Sequence, residues 1–190
     1  MYNTLFKHIR DTCPSYTEEH FNTLMKRIQV KEVTKKEVFF KEGNECNYGG
    51  YVFKGCLRYY KTNSDGEDLV TQFAFEDHWV GDVNSLVNGG PSKMSLQALE
   101  NCTIMALHKK DFKYLVEECP GFSKFQRTKR DRAYDAALER TVDVNESAEE
   151  RYKKLLKRYP QISQRIQLYH MASYLGLTPE SLSRIRKNLY

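Results

Sequence analysis

Residues 171–190, MASYLGLTPESLSRIRKNLY, read as two helices joined by a tight turn. Ala172, Leu175 and Leu177 mark an apolar face on either side of Gly176. Thr178 suits an N-cap, and Pro179 suits the first helical position, where no backbone N–H is needed. Leu182, Ile185 and Leu189 then give the second helix an inward stripe. Glu180, Ser181, Ser183, Arg184, Arg186 and Lys187 are left facing outward. Those side chains can accept from cytosine, pair with guanine or hold phosphate, so the stretch reads as a helix–turn–helix fit for double-stranded DNA.

Charge supports the same reading. Residues 151–190 hold nine Lys or Arg and one acid, Glu180, a net of +8. Subtracted from the totals of 30 basic and 25 acidic residues, this leaves 21 and 24 in residues 1–150, a net of −3. Basic character gathered in one segment suits a polyanionic partner. No apolar run approaches the roughly 20 residues of a membrane span, and the N-terminus lacks the apolar stretch of a secretory signal. Cys13, Cys46, Cys56, Cys102 and Cys119 are scattered with no CxxC pair, which suits thiols packed as small hydrophobes in a reducing cytoplasm.

Upstream, Phe21, Leu24, Met25 and Ile28 follow helical spacing after Ser15 and Thr17. From about Gln29 to Lys109 the rhythm becomes short strand-like runs. These are Val38–Asn44, Gly50–Asn63 with a bend at Gly55, Asp68–Asp82, Ser95–Leu99 and Thr103–Leu107. Asn63-Ser64-Asp65-Gly66 is a hairpin signal. Many short strands predict a closed or sandwiched antiparallel barrel. Lys110–Glu118 reads as a helix stopped by Pro120-Gly121, and a long helix follows from Phe122 to about Val142. Such a helix spans ~30 Å, more than cover for a small barrel requires, and pairing with a second copy is a natural use for it. Val142–Asn145 reads as a hinge, and Ser147-Ala148-Glu149-Glu150 as a capping box that starts the next helix.

This order of parts resembles the Crp/Fnr family of bacterial transcription regulators. In the barrel the resemblance rests on the Gly43 turn, Val52-Phe53-Lys54-Gly55, Asp65-Gly66-Glu67 and Val80-Gly81-Asp82. Further on it rests on Glu150-Arg151-Tyr152 with Leu155-Leu156, and on Met171–Gly176 through Leu182-Ser183-Arg184-Ile185. The implied fold is α+β, with three parts. Residues 1–120 would form a cyclic nucleotide-binding-like jelly-roll barrel, 121–145 a dimerisation helix and hinge, and 146–190 an all-α helix–turn–helix domain. Only Asn188, Leu189 and Tyr190 follow Lys187, so a full β-hairpin wing is not expected and phosphate contacts fall to the helices.

The resemblance implies a homodimer on a roughly palindromic DNA site, with RNA polymerase as a further partner and no membrane association. It places Glu180 and Arg184 at base edges and Ser181 near phosphate; their i, i+4 spacing independently puts Glu180 and Arg184 on one face. Ser173, Thr178, Arg186 and Lys187 complete the expected DNA-contacting set. Pro179 stands where the best-known type of member has another base-reading arginine. For the barrel, members that bind cyclic nucleotides use Gly-Glu for the ribose and, ten residues later, Arg-Ser or Arg-Thr for the phosphate. Here the matching pairs are Gly81-Asp82 and Ser92-Lys93. Serine cannot replace the two parallel charge-assisted bonds of an arginine fork, although Lys93 offers a point charge. The expectation is a barrel that does not take cyclic AMP in the usual way, with no cofactor and an unnamed effector.

Other chemistries fit less well. Only Cys13 lies in the first 45 residues, so a four-thiolate iron–sulfur site is not expected. His78, beside Trp79, reads as structural rather than as an axial haem ligand. His8, His20, His78, His108 and His170 form no HxH or HxxxE set, and neither a phosphate loop nor a nucleophile elbow appears, so catalysis is not expected. The alternative is a ligand-sensing adaptor whose terminal helices bind protein rather than DNA.

Overall fold

The computed structural model describes residues 1–143 and 146–189. The chain divides into two compact units, the first made of residues 1–59 and 73–134 and the second of 60–72 and 135–190.

In the first unit, α1 (Tyr2–Thr12) and α2 (Glu18–Met25) precede the strands. The helix predicted around Phe21 is α2, and Thr17 caps it in a box with His20. Helix α1 was not predicted; Leu5, Ile9 and Thr12 are its buried positions. The strands are β1 (Gln29–Val33), β2 (Val38–Phe40), β3 (Tyr48–Lys54), β4 (Leu57–Thr62), β5 (Asp68–Ala74), β6 (Trp79–Val80), β7 (Ser95–Ala98) and β8 (Cys102–His108). They form two four-stranded sheets, β1-β8-β3-β6 and β2-β7-β4-β5. The strands expected to build the barrel are thus divided between two antiparallel sheets.

Central β8 pairs antiparallel with β1, from Gln29↔Ala106 to Val33↔Cys102, and with β3 on its other side. Glycine is required at position 50 by close approach, because a Cβ there would lie 2.5 Å from the Met105 carbonyl oxygen. The Asp68–Asp82 run holds two strands, β5 and β6, separated by a turn in which Asp77 has a φ of 66°. A short helix that the sequence reading missed, α3 (Val83–Asn88), follows β6. Helix α4 (Lys109–Glu118) matches its prediction.

Pro120 does not merely stop α4; it opens the long helix α5 (Pro120–Asp143) as its first residue, where a missing N–H costs nothing. Phe122 and Phe125 are fully buried and pack edge-on to Trp79, with ring centroids 6.2 and 5.3 Å apart. Each such aromatic contact adds about 0.5–1.5 kcal/mol to the burial itself. The start of α5 is thereby fixed to the first core, which also holds Leu5, Ile9, Tyr51, Leu96 and Ile104.

The second unit takes residues 60–72, the β4–β5 hairpin with most of both strands, together with α6 (Ala148–Arg158), α7 (Ile162–Arg165), α8 (Leu168–Leu175) and α9 (Pro179–Leu189). The Ser147–Glu150 capping box is present in both directions. Tyr152, Leu155, Ile162, Met171, Ala172 and Leu182 are buried in this unit's core. Of the hinge read at Val142–Asn145, Val142 and Asp143 continue α5, and the remainder lies outside the described residues.

Candidate nucleic-acid interface and barrel loop

Helix α8 ends where the sequence places the turn. Gly176 adopts the left-handed conformation (φ 67°, ψ 35°), and the Leu177 N–H donates to the Ala172 carbonyl at 2.9 Å. A side chain there would meet no atom within 4 Å, so glycine serves the backbone conformation alone. Thr178 then closes the start of α9: its Oγ1 accepts from the Ser181 N–H at 3.2 Å and lies 3.1 Å from Ser181 Oγ. Leu182 is wholly buried, and Ile185 and Leu189 are half-buried beside it.

The opposite side of α9 is open. Glu180, Arg184 and Lys187 are exposed; Ser181 and Arg186 are half-buried. Among the described residues no ion pair joins Glu180 to Arg184. The Glu180 carboxylate turns back to its own N–H and to Thr178, which hold it below the usual carboxylate range. Arg184 reaches Ser181 Oγ at 3.5 Å. The i, i+4 acid and guanidinium thus stand side by side with their charges unspent on each other.

Ser173 differs from the rest of the expected set. Its hydroxyl donates to the Asp68 carbonyl and accepts from the Val70 N–H, both at 3.0 Å. Strand β5 is the edge of its sheet, and these two groups point outward from one side of it, as they would toward a neighbouring strand. Ser173 supplies the missing partner, and its hydroxyl proton is used there. The sequence could not signal this, since the partners lie more than a hundred residues away. Arg151, read only as part of a motif, donates from Nη2 to the Leu175 carbonyl at 3.2 Å, a cation at the negative end of α8.

In the first unit the four barrel-loop residues come together. The Gly81 N–H donates to the buried Tyr59 hydroxyl at 2.9 Å. Asp82 caps α3, accepting the Ser85 N–H on Oδ1 at 3.1 Å. Its other oxygen lies 3.0 Å from Ser92 Oγ and 3.2 Å from the Lys93 backbone N, both donors to it. Lys93 joins through its backbone, not through the ammonium expected from the sequence; its residue is exposed. Ser92 is buried, its Oγ also 2.8 Å from the Met94 carbonyl. Ser85 was missed, yet it is buried, with its hydroxyl accepting from the Cys46 N–H at 2.9 Å and donating to the Gly90 carbonyl at 2.6 Å. Its only sequence signal is its place three residues after a capping Asp.

The fold is therefore α+β, with two antiparallel sheets followed by a helix–turn–helix. Residues 30–119 match the model of the cyclic nucleotide-binding domain family. Over most of its length the chain is similar to solved Crp/Fnr-type structures. FixK2 from Bradyrhizobium japonicum is 18% identical with a TM-score of 0.72, covering 85% of this chain and 84% of its own. CLP from Xanthomonas campestris, described as a c-di-GMP responsive global regulator, is 13% identical with a TM-score of 0.69, covering 91% of each chain. The catabolite activator protein of Thermus thermophilus is 20% identical with a TM-score of 0.58, covering 92% and 84%. No curated protein matches the chain in sequence. The fold is shared with these solved structures, as the sequence resemblance implied.

A cyclic nucleotide is the ligand this domain family implies, and the loop does not fit its phosphate. The donors available at Ser85, Ser92 and Lys93 are taken by a carboxylate, and no guanidinium stands among them. Among the described residues no group of three or more His, Cys, Asp or Glu could hold a metal. His78 is half-buried with Nδ1 3.0 Å from the Glu76 carbonyl oxygen. All five cysteines are free and buried. Among the described residues no helix is long and apolar enough to cross a membrane.

Proposed function

We propose that this chain is a cytoplasmic, DNA-binding transcription regulator that acts as a homodimer on a roughly palindromic site, is not an enzyme, and works together with RNA polymerase. The observation that carries the reading is α9. A buried Leu182 anchors one side, while exposed Glu180, Arg184 and Lys187 run along the other from the capped first turn to the last. Arg184 would donate bidentately to guanine and Glu180 would accept from cytosine N4. Ser181, Arg186 and Lys187 would hold phosphate, and Thr178 would set the helix start that positions them.

The dimer is supported by α5. Tyr134 and Leu138 are large, apolar, four residues apart and 64% and 48% exposed. Paired α5 helices would cover that stripe and set two copies of α9 into successive major grooves. An effector of the barrel domain would act by changing the stretch between α5 and α6, and so the spacing of the two reading helices.

Selection of bound sequences from random duplexes, followed by titration across salt, tests the reading. The expected result is one enriched inverted repeat whose affinity falls steeply with salt. Absence of any enriched repeat, with salt-insensitive capture of a protein instead, would favour the adaptor. A monomer that binds specific DNA at micromolar concentration would remove the dimer.

A further inference from the structure

The Arg151 guanidinium joins the first turn of one helix to the last residue of another. Arg151 follows the capping box of α6, and its N–H donates to the Ser147 carbonyl at 3.1 Å. Tyr152 and Leu155 bury the inward side of the same helix. The Arg151 side chain is half-buried beside them, and its Nη2 donates to the Leu175 carbonyl at 3.2 Å. Carbonyls at a helix end lack intrahelical partners. At α8 the Ala172 carbonyl takes the Leu177 N–H at 2.9 Å, and the Ser173 carbonyl takes the Gly176 N–H at 3.1 Å. The Leu175 carbonyl, the last of the helix, takes Arg151.

Gly176 turns the chain immediately after this carbonyl, and Thr178 caps α9 two residues later. What is fixed at Leu175 therefore fixes where α9 starts and how it points. The apolar core of the unit holds its helices close, but apolar contact has no preferred direction. A hydrogen bond from a planar guanidinium has one, and here it also sets a cation against the negative end of α8.

We infer that Arg151 is the positioning residue of the reading helix. It couples the start of α6, the next helix after α5 in the chain, to the turn that aims Glu180 and Arg184. Arg151 touches no base itself, since its guanidinium is turned to the Leu175 carbonyl. A change in the stretch between α5 and α6 reaches α9 through this one side chain, without unpacking Leu182. This account of regulation rests on the DNA-binding reading of α9.

The test compares wild type with Arg151→Met, which keeps an apolar stem and removes the donors. Affinity is measured for the selected duplex and for a random one, well below the melting transition of each protein. The selected duplex should bind about tenfold more weakly, the value of one hydrogen bond to a charged group, and the random duplex within about twofold of wild type. In an Arg184→Ala background the same substitution should cost less than about threefold, because the contact that Arg151 aims has already gone. Equal losses on both duplexes, an unchanged affinity for the selected one, or full additivity with Arg184→Ala overturns the inference. Backbone amide shifts from Ser181 to Arg184 read the same displacement with no DNA present. They should move in Arg151→Met; unmoved shifts overturn the coupling. Moved shifts in a protein whose wild type selects no duplex keep the coupling and remove the DNA reading instead. Arg151→Gln, too short to reach the Leu175 carbonyl, carries the same expectations where the methionine variant does not fold. Failure of both to fold makes Arg151 a stability residue and overturns the inference.

Discussion

Two helix starts in this molecule carry nearly the same groups and use them in opposite ways. At α3 the Asp82 carboxylate takes the Ser85 N–H, the Ser92 hydroxyl and the Lys93 N–H, while the Ser85 hydroxyl donates to the Gly90 carbonyl, so that all of these groups stabilise the loop they belong to. At α9 a comparable set, Thr178, Glu180, Ser181 and Arg184, stands along the first turns of the helix. There Thr178 and Glu180 turn back on the helix start, while Arg184 and Lys187 remain exposed. The first arrangement contributes to folding and leaves little to offer a ligand. The second contributes little to folding and leaves its charge for a partner. Burial decides between them: Ser92 sits inside the loop, whereas Arg184 sits on the exposed side of a helix anchored by the buried Leu182 behind it.

The largest expected effect comes from that anchor. Leu182→Ala should cost about 2–5 kcal/mol of stability in the second unit, read by denaturant melting, because a wholly buried leucine is truncated. A loss below ~1 kcal/mol would mean that α9 does not depend on its inward side. Arg184→Ala should lower affinity for the selected DNA by about tenfold to a hundredfold, with the melting transition moved by less than ~0.5 kcal/mol. Fluorescence anisotropy and melting on one sample separate the two; equal losses in both would break the contrast drawn here.

Ser92→Ala should show the reverse pattern. About 1–3 kcal/mol of stability would be lost, since the Asp82 and Met94 groups lose a buried partner, with DNA affinity unchanged. The smallest effect concerns His8. Burial, followed by the nearby Lys129 charge, lowers its pKa from 6.5, so the folded protein favours the neutral ring. The unfolded chain takes up the proton first as pH falls. Stability gained from the neutral ring is therefore complete above the unfolded value and declines below about pH 6.5, through the folded pKa. His8→Gln should flatten that slope in urea melts taken across this range; an unchanged slope would assign it to other groups.

What the sequence made legible follows the reach of its signals. The reading helix was plain because each determinant is local: Gly176 for the turn, Thr178 for the cap, Pro179 for the first position, and Leu182 three residues past it. The Ser147–Glu150 box was plain for the same reason. Helix α3 was hidden because it has only six residues and its boundaries, Asp82 and Gly89, also read as loop. Helix α1 was hidden because its Leu5 and Ile9 stand among polar neighbours, and their core partners come from far along the chain. In the barrel loop, the replacement of arginine by Ser92 was visible as a lost bond. That Ser92 makes a different bond, to an acid ten residues back, depends on a loop path that composition does not encode. Ser173 was assigned by its neighbours in the motif, while its true partners lie in a strand read as part of another domain.

That last contact has a consequence for how the molecule comes into being. The second unit is discontinuous: it needs residues 60–72 as well as 135–190. On the ribosome, the β4–β5 hairpin emerges long before α8, so the Asp68 carbonyl and the Val70 N–H must wait in water until Ser173 arrives. A piece cut to begin at 135 would carry the whole reading helix and still lack part of its own unit. The segment most easily recognised in the sequence is thus the last to be completed, and it is completed by a strand synthesised near the beginning.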